Sequence, residues 1–322
     1  MSTRSTTVNV DPDQTHLRES DLGLLARTRR YGLSRVQLAW VLLLPAVVVM
    51  VSVLGYPISR DLWMSLHTIR LDEPWLGEPF IGFGNYVRIV LDPDFWGSME
   101  VSVYFTVGSV VIEALLGLAV ALVVNESFRG RGLVRTAMLV PWAIPAIVSA
   151  RMWGWMYSPS VGAFNAVLNG LHIVSGPIDL LSSPQWVMPA VIIADVWKNT
   201  PFVALLLLAG LQIIPAELYE AARVDGASGW QRFRHVTFPL LRGSMTVALL
   251  FRTLTAFQTF DLAQGLTSGG PGTLTELISL HTYRVLFANV NFGQGAALSV
   301  IIAVISLVIA MVYARQLNLR SV

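Results

Sequence analysis

Six stretches of about twenty mostly apolar residues recur along the chain, at 38–58, 101–124, 133–157, 187–211, 240–262 and 294–314. A helix needs about 20 such residues to cross the hydrocarbon core of a bilayer. The chain of 322 residues is 54% hydrophobic and only 13% charged, against about 25% charged in a soluble domain. That charge cannot cover a water-facing surface of this size, which sets aside an unusually apolar soluble enzyme. The sequence therefore predicts an all-α integral membrane protein with six transmembrane helices. Residues 1–37 form a polar N-terminal tail, 38–316 the six-helix membrane domain and 317–322 a short polar end. The first apolar run begins far from Met1 and is followed by further runs. It reads as a retained span, since a cleaved leader has an apolar core of only about 7–15 residues.

Pro141 and Pro145 fall in the third run and Pro201 in the fourth. A span tolerates proline where neighbours satisfy the freed carbonyls, so these helices are expected to be kinked and packed inside a bundle. Cysteine is absent, which excludes disulfide, thiolate and zinc–cysteine chemistry.

Basic residues fix the orientation. Fifteen lie in the tail, after the second and fourth runs and after the sixth, including Arg129, Arg131, Arg135, Arg223, Arg232, Arg234 and Arg242. Four (Arg60, Arg70, Arg88 and Arg284) lie on the other side, and Arg151, Lys198 and Arg252 fall within the runs. The positive-inside rule then predicts that both termini and the segment 215–239 face the cytoplasm.

That segment, YEAARVDGASGWQRFRHVTFPLL in its greater part, has a grammar of its own. Pro215 suits a helix start, AELYEAARVD favours helix, and Gly226 suits a left-handed cap. Ser228 and Gln231 have capping-box spacing, opening a second helix before Pro239. The expectation is two short helices and a glycine turn on the cytoplasmic surface. An amphipathic helix lying on lipid headgroups is the alternative, and it needs neither the turn nor the spacing.

The spacing Glu220-Ala221-Ala222, three residues, Gly226, nine residues, Val236, one residue, Phe238-Pro239 resembles the EAA loop of binding-protein-dependent ABC importer permeases, with Asp225-Gly226-Ala227 matching its common form. Phe238 and Val236 stand where leucine and isoleucine are usual. FIGFGNYVRIVLDPDFW (80–96), VWKNTPF (196–202) and LTSGGPGTLTELISLHTYRVLF (266–287) extend the resemblance to the sugar-permease branch, the MalF- and SugA-like permeases. It covers about 38–316, and the first outer loop (58–100) has the compact SugA-like length.

The resemblance implies a type I ABC importer permease fold in a bacterial cytoplasmic membrane. It implies a coupling helix carrying Glu220, Ala221, Ala222, Asp225 and Gly226, with Pro239 beyond, docked on a cytoplasmic ATPase. The implied partners are a second permease subunit, a dimer of ATPase subunits and an extracytoplasmic sugar-binding protein, within the lipid membrane and without nucleic acid. Its outer loops would meet the lobes of that binding protein, and the substrate would be a sugar, such as trehalose or a malto-oligosaccharide.

No cofactor is expected on this chain. A phosphate loop needs lysine before Ser or Thr, and Lys198, the sole lysine, precedes Asn199. ATP and Mg therefore belong to the partner ATPase. The five histidines are scattered, with no HExxH or GxSxG, so hydrolase or metal chemistry has no foothold.

Charges in a span mark interior or watery positions. Asp195 and Lys198 share a helix face. Either they pair internally, or with Trp197, Asn199 and Phe202 they line a translocation path or gate, to which Arg252 and Asp261 contribute. Glu113 reads as structural. Trp142, Trp153, Trp155, Tyr157 and Trp197 could offer faces to a sugar, although interfacial anchoring better accounts for Trp153, Trp155 and Tyr157. A glycerol-3-phosphate importer is the nearest alternative, and Arg151 and Arg252 leave it open. An ion-coupled secondary transporter could recruit Asp195 and Glu113, but it leaves the 215–239 motif unexplained. A membrane enzyme stands third.

Overall fold

A computed structural model describes residues 34–172 and 176–318. The expected tail falls outside them up to residue 33. The contacts divide the chain between Arg60 and Asp61, a boundary inside the first long helix, α1 (Arg35–Ser65). Where it is described, the first unit is apolar helix with large side chains exposed, among them Trp40, Leu42, Val49 and Tyr56. Pro45 and Pro57 sit within it.

In the second unit the helices are α2 (Gly84–Leu91), α3 (Pro93–Asn125), α4 (Arg131–Ala137), α5 (Val140–Ala143), α6 (Ala146–Met156), α7 (Ala163–Gly170), α8 (Val187–Ile213), α9 (Ala216–Val224), α10 (Gly229–Arg232), α11 (Phe238–Phe257), α12 (Asp261–Leu266), α13 (Ile278–Tyr283) and α14 (Phe292–Asn318). No strand forms among the described residues, only two isolated bridges. Among the described residues five helices are long and apolar enough to cross a membrane, or six where a bent pair counts as one span.

α3 and α8 form the most extensive helix pair, with α11 packed on both and α14 on α11. The inward side of α3 is a stripe at helical spacing, running from Ser98 through Ser102, Phe105, Ser109 and Glu113 to Gly117, Ala121 and Val124. Its outward side carries Val103, Tyr104, Val107, Val111 and Leu115. Small and polar groups turn inward because lipid offers apolar side chains as good a home as the protein does, leaving close packing to hold helices together. A Cβ at Gly117 would come within 2.7 Å of Val203 on α8, so only glycine permits that approach. The serine hydroxyls need no outside partner: Ser102 Oγ donates to Ser98 O at 2.8 Å and Ser109 Oγ to Phe105 O at 2.8 Å.

Two expectations need correction. The third run is broken rather than kinked: its two arms, Arg131–Ala143 and Ala146–Met156, meet at 94°. Pro145 is the N-cap of the second arm, and its missing N–H and its ring favour a break there. The second surface helix is instead the first turn of the fifth span, which runs unbroken from Gly229 to Phe257. It passes through a widened π turn at Phe233–Thr237. Pro239 therefore lies inside a long helix, and the wide turn before it, where Phe238 N–H donates to Phe233 O, makes room for a residue that cannot donate. Beyond the glycine-rich turn at 269–272 the chain enters the core. Thr275, Leu277, Ile278 and Leu280 are all at most 1% exposed.

Candidate functional site

Pro215 caps the start of α9 rather than opening it, with extended backbone at ψ 135°. The other end closes as a Schellman turn. Ala227 N–H donates to Ala222 O at 2.9 Å and Gly226 N–H to Arg223 O at 3.0 Å, with Gly226 at φ +76°. A left-handed residue at that position satisfies carbonyls the helix would otherwise leave bare. Two residues later Ser228 starts the next helix through a complete capping box with Gln231. Each link from Ala222 to Gln231 is thus fixed by hydrogen bonds. Tyr219 Oη and Thr237 Oγ1, 3.1 Å apart, tie α9 to the base of the fifth span.

Glu220, Ala221, Asp225, Gly226 and Pro239 are exposed and Ala222 is half-buried. Val224 and Trp230 stand out at 89% and 67% exposure. Beside α9 lies a recess of about 650 Å³, bordered by Tyr219, Glu220, Arg223, Trp230, Arg232 and Phe233.

A second constellation lies inside the membrane domain. Arg252 of α11 binds Glu113 of α3 through Nε and Asp195 of α8 through Nη2. Its Nη1 donates to Thr255 Oγ1 at 2.9 Å, and Asn199 Nδ2 donates to Asp195 Oδ1 at 2.8 Å. Glu113, Asp195 and Arg252 are at most 3% exposed. Charges so far from water persist only when paired and hydrogen-bonded, and here one guanidinium joins three spanning helices.

The arrangement alters several expectations. Asp195 does not pair with Lys198; Arg252 and Asn199 occupy its oxygens. Lys198 Nζ turns the other way and donates to the carbonyls of Trp142, at 3.3 Å, and Ile144. Phe202 stacks on Trp142, with centroids 5.9 Å apart, and Trp197 meets Trp153 edge-on at 5.7 Å. Asp261 does not join the charge cluster; it lies exposed in the first turn of α12. Trp153 and Tyr157 are not interfacial anchors but core residues, at 5% and 1% exposure, with Tyr157 Oη donating to Ala190 O at 2.9 Å. Trp155, 83% exposed, keeps the interfacial reading. Sequence reasoning missed Glu113 as a partner of Arg252. The two are 139 positions apart, and their only signal was being ionisable inside a span. It also missed a polar cluster in the glycine-rich segment, where Glu276 binds Arg284 and, at 3.1 Å, His281 Nδ1.

Over residues 113–320 the sequence matches the family described as binding-protein-dependent transport system inner membrane component. The chain belongs to that family. This permease is 42% identical over 287 residues to the trehalose/maltose transport system permease protein MalF of Thermococcus litoralis, covering 89% of this chain and 95% of that one. It is also 42% identical over 279 residues to the trehalose transport system permease protein SugA of Mycobacterium tuberculosis, covering 86% and 87%. With the sulfoquinovosyl glycerol transport system permease protein SmoG of Agrobacterium fabrum it shares 37% over 309 residues, covering 96% and 99%. Its fold is similar to a chain in the crystal structure of a bacterial ABC transporter involved in the import of the acidic polysaccharide alginate, with TM-score 0.75, 24% identity and coverage of 88% and 96%. A second structure, of a bacterial alginate ABC transporter in complex with an alginate pentasaccharide-bound periplasmic protein, matches with TM-score 0.73 and 25% identity, over 86% and 92%. The permease is thus a multi-pass inner membrane protein of the ABC importer class. An ion-coupled secondary transporter and a membrane enzyme are set aside.

Proposed function

We propose that this permease translocates a sugar, delivered by an extracytoplasmic binding protein, in an importer driven by ATP on separate subunits. Supporting the substrate class are relatives named for trehalose, maltose and sulfoquinovosyl glycerol transport. A disaccharide such as trehalose, or a malto-oligosaccharide, fits them better than glycerol 3-phosphate. ATP and Mg reside on an ATPase dimer, because the sole lysine of this chain stands before Asn199 and no phosphate loop can be built. A second permease subunit completes the membrane pathway. Both termini and α9 lie in the cytoplasm, as the basic residues require. Trp197, Asn199 and Phe202, half-buried on α8, are the candidates for lining the path, with Asp195 and Arg252 holding the helices behind them.

The observation that carries this reading is α9: exposed, bearing Glu220-Ala221-Ala222, and closed by a Schellman turn directly followed by a capping box. ATP closes the ATPase dimer, α9 is displaced, and its stiff joint passes the motion to the fifth span. The test is a reconstituted importer containing the second permease, the ATPase and the binding protein. Glu220→Lys and Gly226→Pro should each abolish uptake and substrate-stimulated ATPase activity while membrane insertion survives. Crosslinks from position 220 should capture the ATPase. Full activity of both variants would refute the proposal.

A further inference from the structure

We infer that Lys198 is a positioning residue that holds the right-angled bend of the third span, acting with Trp197 and Phe202 as a grip of α8 on both arms of that bend. The chain leaves helix at Ile144, where ψ is 131°, and re-enters it after Pro145. In an uninterrupted helix the carbonyls of Trp142 and Ile144 would receive the N–H groups four residues on, those of Ala146 and Val148. The break removes those donors at membrane depth, where a bare carbonyl is costly. Lys198 Nζ donates to both carbonyls. Its positive charge also lies at the C-terminal end of the arm Arg131–Ala143, where the helix dipole favours a cation.

Two neighbours on α8 complete the grip. Phe202, one turn beyond Lys198, stacks on Trp142 of the first arm at 5.9 Å and 21°. Trp197 meets Trp153 of the second arm at 5.7 Å and 75°. Three residues within two turns of α8 therefore engage the near arm, the break and the far arm. Asp195 does not compete for the ammonium group, since it is engaged by Arg252 and Asn199. The prolines favour a break there, and Lys198 sets its angle. As a result the third and fourth spans move as one body.

The chain has no cysteine, so spin labels can be placed at two chosen sites. Leu133→Cys and Trp155→Cys put one exposed label on each arm. The measurement is their distance distribution by pulsed dipolar spectroscopy, on the complete importer in nanodiscs. Lys198→Met should widen the distribution about twofold, because two carbonyls lose their donor. Lys198→Arg, which still donates, should restore the native width. Uptake should fall at least about tenfold in Lys198→Met and recover to within about threefold in Lys198→Arg, as restoring the donor restores the geometry. Only this uptake arm rests on the proposed function; the distances test the bend independently. If the Met variant does not assemble, Lys198→Gln, with a neutral donor, takes its place and should show a width between native and twofold. A native width in Lys198→Met or Lys198→Gln, or an Arg variant as wide as Met, would overturn the inference.

Discussion

Arg252 joins three helices at a point sealed from water, and the consequence of losing it is asymmetric. Arg252→Met would leave Glu113 and Asp195 facing each other without a cation, which should cost about 3–5 kcal/mol. Adding Glu113→Gln and Asp195→Asn to that variant should recover much of the loss, since no unpaired charge then remains. Thermal unfolding in detergent, followed by tryptophan fluorescence, checks both. A triple variant no more stable than Arg252→Met would show that the cluster does not act by charge pairing. The sequence marked each of these residues as ionisable inside a span, but not who pairs with whom. Asp195 and Lys198 are three apart on one helix, which made them look like partners. Tertiary contact decided otherwise, because the guanidinium reaches both carboxylates at once while the ammonium meets carbonyls that the bend set free.

Local grammar was most legible where hydrogen bonds are short-range. The cap at Gly226 and the box at Ser228 and Gln231 could be read from residue type and spacing, since both motifs close within six residues. Ser228→Ala should cost about 1 kcal/mol by freeing helix N–H groups, seen as faster amide exchange over Gly229–Arg232 with little change elsewhere. Gly226→Ala should cost about 1–2 kcal/mol, as an L-residue resists the left-handed region, and should weaken coupling without abolishing it. The third span was the least legible element. Its length and apolarity match a crossing helix, and proline is common enough in spans that Pro141 and Pro145 predicted a kink rather than a right angle. The arginines of 229–237 hid the true start of the fifth span, since they made the segment read as a separate helix on the cytoplasmic surface. Trp230 stacks on Phe233 there, and Phe233 meets Phe238 at a tilt.

Inside α3, α8 and α11, serines, threonines, glycine and an ion cluster share the interior with apolar side chains, and large aliphatic side chains also cover the outside. The number of membrane crossings was readable for that reason, and the packing was not, because greasy residues no longer mark the core. A bulky residue at Gly117 should therefore do more harm than one on the outer side of the same helix. Gly117→Leu should abolish assembly, whereas Val111→Leu should leave purified yield within about twofold, because only the former meets a close-packed neighbour. Orientation can be checked on the cysteine-free chain: a cysteine at Ser228 should react with an impermeant maleimide only from the cytoplasmic side, and labelling from outside would reverse the topology. The π turn beneath the fifth span has a further consequence. It accommodates one residue more than a regular helix would, and each residue of α-helix turns the chain by about 100°. Deleting one residue from 233–237 should be absorbed by the loop of slack already there, whereas inserting one should swing Arg252 away from both acids. The azimuth of a whole span is thus written in five residues at its rim.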